Sequence, residues 1–391
     1  MSRCVPQTIL SSDQPTSLVS ATHNFLFLRT LSGVPGSKMP HALVIREKKV
    51  KAGQPYYPLQ LKAISRPSPG PNELLVKMEA AGLNHRDLFI RQNLYPNISF
   101  KAPLLSDGYG TVVEEGPGCT AGLLHKAVLL TPCRGWSASL DGPEDWDKFS
   151  TMGGTEPYTH LGAAQHYIVV DEAEVEECPG HLGAVEGAAI PSCGLTAWRA
   201  LVVKSQNAKP GRNILITGIG GGVALQALQF ALEFGCNVYV TSGSAEKIAK
   251  AVQLGARDGV IYKDDDWPKK LSQKLPEERP YLDAVVDGAG GDVVIKTTPI
   301  LKPGGVIASY GMTVGPLMDW PMQAVLKNIE LRGSTLGSRV EFRDMVRFIQ
   351  EKKIKPIVSR SVKGLDCVDA IDGLFEDLKG GKQFGKLVIE M

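Results

Sequence analysis

From Met39 onward the apolar positions fall in short alternating runs, "HALVI" (41–45), "LQLKAI" (59–64) and "ELLVKMEAAG" (73–82), separated by "RPSPGPN" (66–72) and similar proline–glycine clusters. Alternation of apolar and polar side chains is the period of a strand with one buried face. "GTVVEEG" (110–116), "HKAVLLTP" (125–132) and "AAQHYIVV" (163–170) continue it, which predicts a compact barrel of short strands. Near residue 182 the period changes. "LGAVEGAAIPSCGLTAWRALVV" (182–203) has helical spacing interrupted at Pro191.

Beyond it stand six apolar strands: "NILITG" (213–218), "CNVYVTS" (236–242), "DGVIY" (258–262), "LDAVVDG" (282–288), "GGVIASYG" (304–311) and "IELRGSTLG" (329–337). Helical segments at roughly 222–235, 245–254 and 292–301 lie between some of them. Short strands joined by crossover helices imply a parallel, doubly wound sheet, so the fold class is α/β. From about 338 the chain predicts two amphipathic helices, "FRDMVRFIQEKK" and "CVDAIDGLFEDLKG", and a last strand, "GKLVIEM". The expected organisation is an extension (1–38), a barrel domain built from 39–178 and 338–391, and a parallel-sheet domain at 179–337.

The strand "NILIT" runs directly into "GIGGGVALQALQFALEFG", which sets Gly218, Gly220, Gly221 and Gly222, then Val223 and Ala224, at a strand-to-helix turn. Such a turn needs residues that tolerate positive φ, and a pyrophosphate can approach the backbone only where no Cβ intervenes. The N–H groups and positive dipole end of the following helix then hold the anion. Glycines alone are common in turns, but here the preceding strand, the following helix and a second strand about 20 residues on complete the dinucleotide-binding pattern. At the tip of that second strand an NAD site carries Asp or Glu for the ribose hydroxyls. This chain has "VTSGSAEK", with Ser242, Ser244 and Lys247 in place of a carboxylate. Hydroxyls and an ammonium suit a 2′-phosphate, so the expected cofactor is NADPH/NADP+. Glu246 follows late enough to fall in the first helical turn, and Ser244 reads equally well as the N-cap of that helix.

Composition narrows the partners. Hydrophobic residues are 43% and charged residues 21% of the 391, with a formal net charge of +2, so nothing draws the chain to nucleic acid or to a membrane surface. "REKKVK" (46–51) and "EKKIK" (351–355) are short basic clusters mixed with acids and read as solvated faces. There is no apolar run of 18 residues. The seven cysteines form no CxxC pair, which favours free thiols in a reducing, cytoplasmic compartment. Residues 1–38 are rich in Ser and Thr and hold one acid, Asp13, against Arg3, Arg29 and Lys38. That is compatible with a mitochondrial transit peptide, but few arginines favour a plain disordered extension, with Met39 as the working start.

"AAGLNHRDLFIRQNLYP" (80–96), "SDGYGTVVEEG" (106–116), "GLTAWRALV" (194–202), "GIGGGVA" (218–224), "LDAVVDGAGG" (282–291) and "FGKLVIE" (384–390) occur in this order. On that set the chain, from Met39 to Met391, resembles the medium-chain dehydrogenase/reductase superfamily. The resemblance is closest to its zinc-independent, quinone-oxidoreductase-like branch. It implies a GroES-like barrel as catalytic domain, a Rossmann domain for the cofactor, a small-molecule substrate and a homodimer. In zinc-dependent members Cys stands where Asn84 is, and His and Glu where Asp107 and Gly108 are. A third ligand, usually Cys, aligns with Ser192 if Gly194 and Thr196 set the register; a shift of one brings in Cys193. The structural zinc lobe of such members needs four close cysteines, and here the stretch "PCRGWSASLDGPEDWDKFSTMGGTEP" offers only Cys133. No metal is expected, because zinc relies on thiolate and imidazole. The resemblance further places Thr196 near the nicotinamide, Tyr262 beside the adenosine phosphate, Gly288 under the nicotinamide ribose, and Lys386 as a phosphate partner.

Without a Lewis acid, hydrogen-bond donors must stabilise the negative charge that hydride transfer leaves on oxygen. The candidates are the Asn84 amide and the phenol of Tyr95, which either delivers a proton late in the reaction or packs beside Pro96. His85 and Arg86 carry no readable role, and Asp87 reads as a structural partner of backbone or of Arg86. The expected activity is an NADPH-dependent, metal-free reduction of an activated alkene, quinone or carbonyl. Alternatives are a zinc-type alcohol or aldehyde dehydrogenase and a non-catalytic NADPH-binding protein. A mitochondrial enoyl-thioester reductase is a third, from whose pattern "NHRDLFIRQNLYP" departs. The loops 134–160 and 312–325 supply Trp and Met, which suit an apolar substrate pocket and a packed surface alike.

Overall fold

In the computed structural model, which describes residues 39–48, 56–315 and 317–391, His41–Ile45 and Leu59–Ala63 form an antiparallel pair of their own, and the later alternating runs join a seven-stranded mixed sheet. The N-terminal extension and the targeting question attached to it lie outside the described residues. The long central strand, Glu73–Gly82, is antiparallel to Asp107–Glu115 and to the last strand, Lys386–Glu390. Tyr167–Asp171 pairs with its first half. One face of this sheet closes over Leu74, Val76, Met78, Val112 and Ile168, all essentially without solvent contact. Two features of the fold depart from the sequence pattern. "VSRSVK" forms a strand, Val358–Lys363, parallel to the last one, where polar composition conceals it. Arg199–Lys204 continues the Pro191–Trp198 helix as a π-helical segment.

The six expected strands form one parallel sheet. Its order runs Asp258–Ile261, Asn237–Ser242, Asn213–Ile216, Leu282–Asp287, Leu301–Ser309, Glu330–Gly333. Strand order reverses between Asn213–Ile216 and Leu282–Asp287, and a crevice at the carboxyl ends there is where such sheets bind ligands. Gly288 directly follows the second of these strands, and Gly218 follows the first after Thr217. Both sheets belong to one compact unit, Met39–Met391. No helix among the described residues is long and apolar enough to cross a membrane.

Strand register assembles residues distant in sequence. Val388 pairs with Gly82 and Ile389 with Ala81, so the same register sets Lys386 opposite Asn84. Gly82 also pairs with Asp107 across the other edge. Three chain segments thus converge at one end of the central strand, where the His85–Arg91 helix begins.

Candidate active site

The glycine turn has the geometry its composition requires. Gly218 (φ +67°) and Gly220 (φ +116°) occupy the left-handed region, where side chains are strained. Gly221 precedes the Gly222–Glu233 helix, and no side chain caps it, which leaves its first N–H groups for an anion. Val223 and Ala224 follow in the first turn of that helix. A Cβ on Gly222 would stand 2.7 Å from the Cys193 sulfur and 2.8 Å from Cδ of Lys386. The phosphate turn and the polar cluster described below are therefore in contact.

At the tip of the second strand, Ser244 is the N-cap of the Ala245–Gln253 helix and accepts from the Lys247 N–H. Ser242 Oγ accepts from the Ser244 N–H at 3.2 Å. Lys247 lies across Gly220 and donates to Gly381 O at 2.8 Å. The Tyr262 hydroxyl and the Lys263 stem both lie against Gly243. Glu246 turns away to pair with Lys250 at 2.7 Å. Lys263 is a cation that the sequence reading passed over, although it directly follows Tyr262.

The second half of the site is buried and polar. Lys386 donates from Nζ to Asn84 Oδ1 at 2.7 Å, to Asp107 Oδ2 at 2.8 Å and to Leu83 O at 2.6 Å. Asp107 Oδ1 also accepts from the Ser192 N–H at 2.8 Å, and the Ser106 and Ser192 hydroxyls meet at 3.0 Å. The Cys193 thiol donates to Asn84 Oδ1 at 3.3 Å. Burial pushes that thiol up to about 11, against the pull of the Lys386 ammonium. Burial also works against charge on Lys386, but Asp107 and Cys193 outweigh it and raise its pKa. The ammonium of Lys386, expected beside a cofactor phosphate, is engaged by three oxygens of this cluster.

The flanking residues sort by their contacts. The Asp87 carboxylate accepts from the Asn84 N–H at 2.8 Å and faces Arg86 at 3.4 Å; burial pushes its pKa up to about 6. Arg86 donates to Met152 O and Gly153 O and supports the 151–155 loop. The Tyr95 ring lies on the Arg86 guanidinium at 4.7 Å, and its hydroxyl makes no hydrogen bond to a described residue. Packing accounts for its place. Burial and the Lys386 ammonium lower the His85 pKa.

Thr196 is buried on the same helix as Ser192, one turn on. Gly288 supports a residue the sequence reading missed: a Cβ there would be 2.5 Å from Cζ of Tyr310. Burial, Asp287 and Cys193 drive the Tyr310 phenol's pKa upward. A cavity of about 720 Å³ opens beside Tyr310, lined by Trp136, Trp146, Lys204, Met312 and Met318, so the two loops rich in Trp and Met face one space. It reaches Tyr310 but not Asn84.

Residues 70–180 match the model described as the alcohol dehydrogenase GroES-like domain, and residues 222–351 the one described as zinc-binding dehydrogenase. The zinc-type alcohol dehydrogenase-like protein YogA of Leptosphaeria maculans is 65% identical over 358 residues, spanning 90% of this chain and 100% of that protein. A zinc-type alcohol dehydrogenase-like protein of Schizosaccharomyces pombe is 35% identical, spanning 74% of this chain and 84% of its own length. A solved NAD-dependent alcohol dehydrogenase superposes with a TM-score of 0.78 at 29% identity, covering 90% of this chain and 99% of that one.

Zinc in such names calls for thiolate, imidazole or carboxylate ligands grouped around an open position. Among the described residues no three His, Cys, Asp or Glu side chains group in that way. Asn84, Ser106 and Ser192 are weak neutral donors, and the best available oxygen, on Asp107, already holds an ammonium. This donor set does not fit catalytic zinc.

Proposed function

The chain belongs to the medium-chain dehydrogenase/reductase superfamily, and from that membership we propose a metal-free, NADPH-dependent reductase of activated alkenes, quinones or carbonyls. The observation that carries this reading is the polar cluster itself. At the positions where the resemblance puts the metal ligands of zinc-using members it offers the Asn84 amide, the Ser192 hydroxyl and the Asp107 carboxylate, the last already paired with Lys386. Bound at the glycine turn, NADPH supplies a hydride. The chain's own contribution is electrostatic. The Asn84 amide donates to the substrate oxygen on which negative charge develops, an arrangement worth about 10²–10³ in rate. Ser242, Ser244, Lys247, Tyr262 and Lys263 support the choice of NADPH, because hydroxyls and cations surround the strand tip and Glu246 is paired elsewhere. The Trp- and Met-lined cavity supports an apolar substrate.

The test is stopped-flow oxidation of NADPH after exhaustive dialysis against chelator, with a panel of quinones, enones and aldehydes. Turnover by the chelated protein is expected. Activity that dies on chelation and revives with Zn²⁺ would replace this reading with that of a zinc-type dehydrogenase. NADPH binding with no turnover on any acceptor would leave a cofactor-binding protein.

We also propose a homodimer. Glu330–Gly333 is the unpaired edge of the parallel sheet, and Val314, Leu317, Met322, Leu326 and Leu331 are exposed beside it. Sedimentation at micromolar concentration is expected to give twice the 42.1 kDa chain mass.

A further inference from the structure

The Asn84 carboxamide can point either end at a substrate, and only one end serves a reduction. An N–H2 end stabilises an oxygen gaining negative charge, whereas a C=O end repels it. The neighbours of Asn84 decide between them. An ammonium has three donors and no acceptor, so the atom 2.7 Å from Lys386 Nζ must be the amide oxygen. The Cys193 thiol adds a second donor to the same oxygen at 3.3 Å. The oxygen is thus occupied on the inner side, and the nitrogen is left with one long contact, 3.4 Å to Ser106 Oγ.

Lys386 is itself held. Asp107 neutralises it, Leu83 O takes its third proton, and pairing of the last strand with the central one fixes its height opposite Asn84. We infer that the Lys386 ammonium is a built-in cation standing in the place of the metal, and that it positions Asn84 as an obligatory hydrogen-bond donor toward the substrate. This inference rests on the reductase reading, and it explains the donor set's misfit to zinc. A dication would have to displace a buried, fully hydrogen-bonded ammonium already paired with Asp107. Lys386 acts through Asn84 and so is a positioning residue.

An ion pair kept only for stability would look the same in a static structure, and a double substitution separates the two roles. Lys386→Met leaves Asp107 buried and unpaired, so this variant is expected to lose stability whichever role is true. Lys386→Met with Asp107→Asn removes both charges at nearly constant volume. The double variant is expected to regain most of the lost thermal stability, with NADPH Kd and substrate KM within about threefold of wild type. Its kcat is expected to fall about 100-fold. The ¹⁵N-labelled side-chain amide of Asn84, dispersed in the wild type, is expected to collapse toward the averaged position of a freely turning amide. Wild-type kcat in the stable double variant, or an unchanged Asn84 amide signal, would overturn the role given to Lys386. If the wild type reduces no acceptor, the reductase reading fails on its own, and the amide signal still decides whether Lys386 orients Asn84.

Discussion

Two aspartates in this molecule are equally sealed from solvent and both ion-paired, yet their surroundings differ. Asp283 stands near the start of a central parallel strand, where Arg212 (2.7 Å), Arg279 (2.6 Å), Lys302 (3.4 Å) and the Asn213 N–H (2.9 Å) converge on it. Burial alone would raise its pKa, but the hydrogen bonds from Arg279, Asn213 and Arg212 outweigh it and hold the carboxyl at about 2. Asp107 has one cation, Lys386, together with the Ser192 N–H. The first is over-satisfied and far from the strands' carboxyl ends. The second belongs to a network whose outer member, Asn84, is half-buried and still has donor capacity. Burial and pairing alone therefore do not mark a working site. What separates the two is an incompletely used, half-buried polar group at the edge of the network.

The sharpest way to break the comparison is Asp283→Ala. Three cations and a backbone N–H lose their partner, and the expected cost is about 3–5 kcal/mol of unfolding free energy at pH 7, read from urea denaturation. The pH dependence has a fixed sign. A depressed carboxyl stabilises the fold above its unfolded value of about 3.9, and that stability disappears as pH falls toward about 2, so the gap between wild type and variant should close over that window. NADPH affinity of the folded fraction should not change. Asn84→Ala is the converse: kcat/KM is expected to drop about 10²–10³-fold, while the melting temperature falls by no more than a few degrees.

A tenfold effect is expected from Lys247→Ala, which should weaken NADPH and leave NADH binding unaltered, as measured by fluorescence titration with both cofactors. The smallest effect belongs to Tyr95→Phe. The ring keeps its place on Arg86 at 4.7 Å, and kcat should stay within about threefold of wild type. A tenfold loss would return the phenol to the chemistry.

The parallel sheet and its glycine turn were legible in the sequence because their signals are local. Strand, turn and helix are contiguous, and backbone sterics at Gly218 and Gly220 are a matter of a few neighbouring atoms. The cap at Ser244 was readable for the same reason, since Ser244 accepts from the Lys247 N–H three residues on. The polar strand Val358–Lys363 was not, since its stability comes from pairing with Lys386–Glu390 and leaves no mark in its own pattern.

Lys386 is the clearest case. Its sequence neighbourhood, "FGKLVIE", suggests a phosphate partner, but antiparallel register places it opposite a residue 302 positions earlier. Tyr310 lies against Gly288 and Cys193 against Gly222 only because two strand ends and a helix arrive together. The sequence by itself determined the fold class and the glycine turn between strand and helix. Only the tertiary structure decided which cation replaces the metal and which end of Asn84 is free, because hydrogen bonds across strands depend on register, and register belongs to the sheet as a whole.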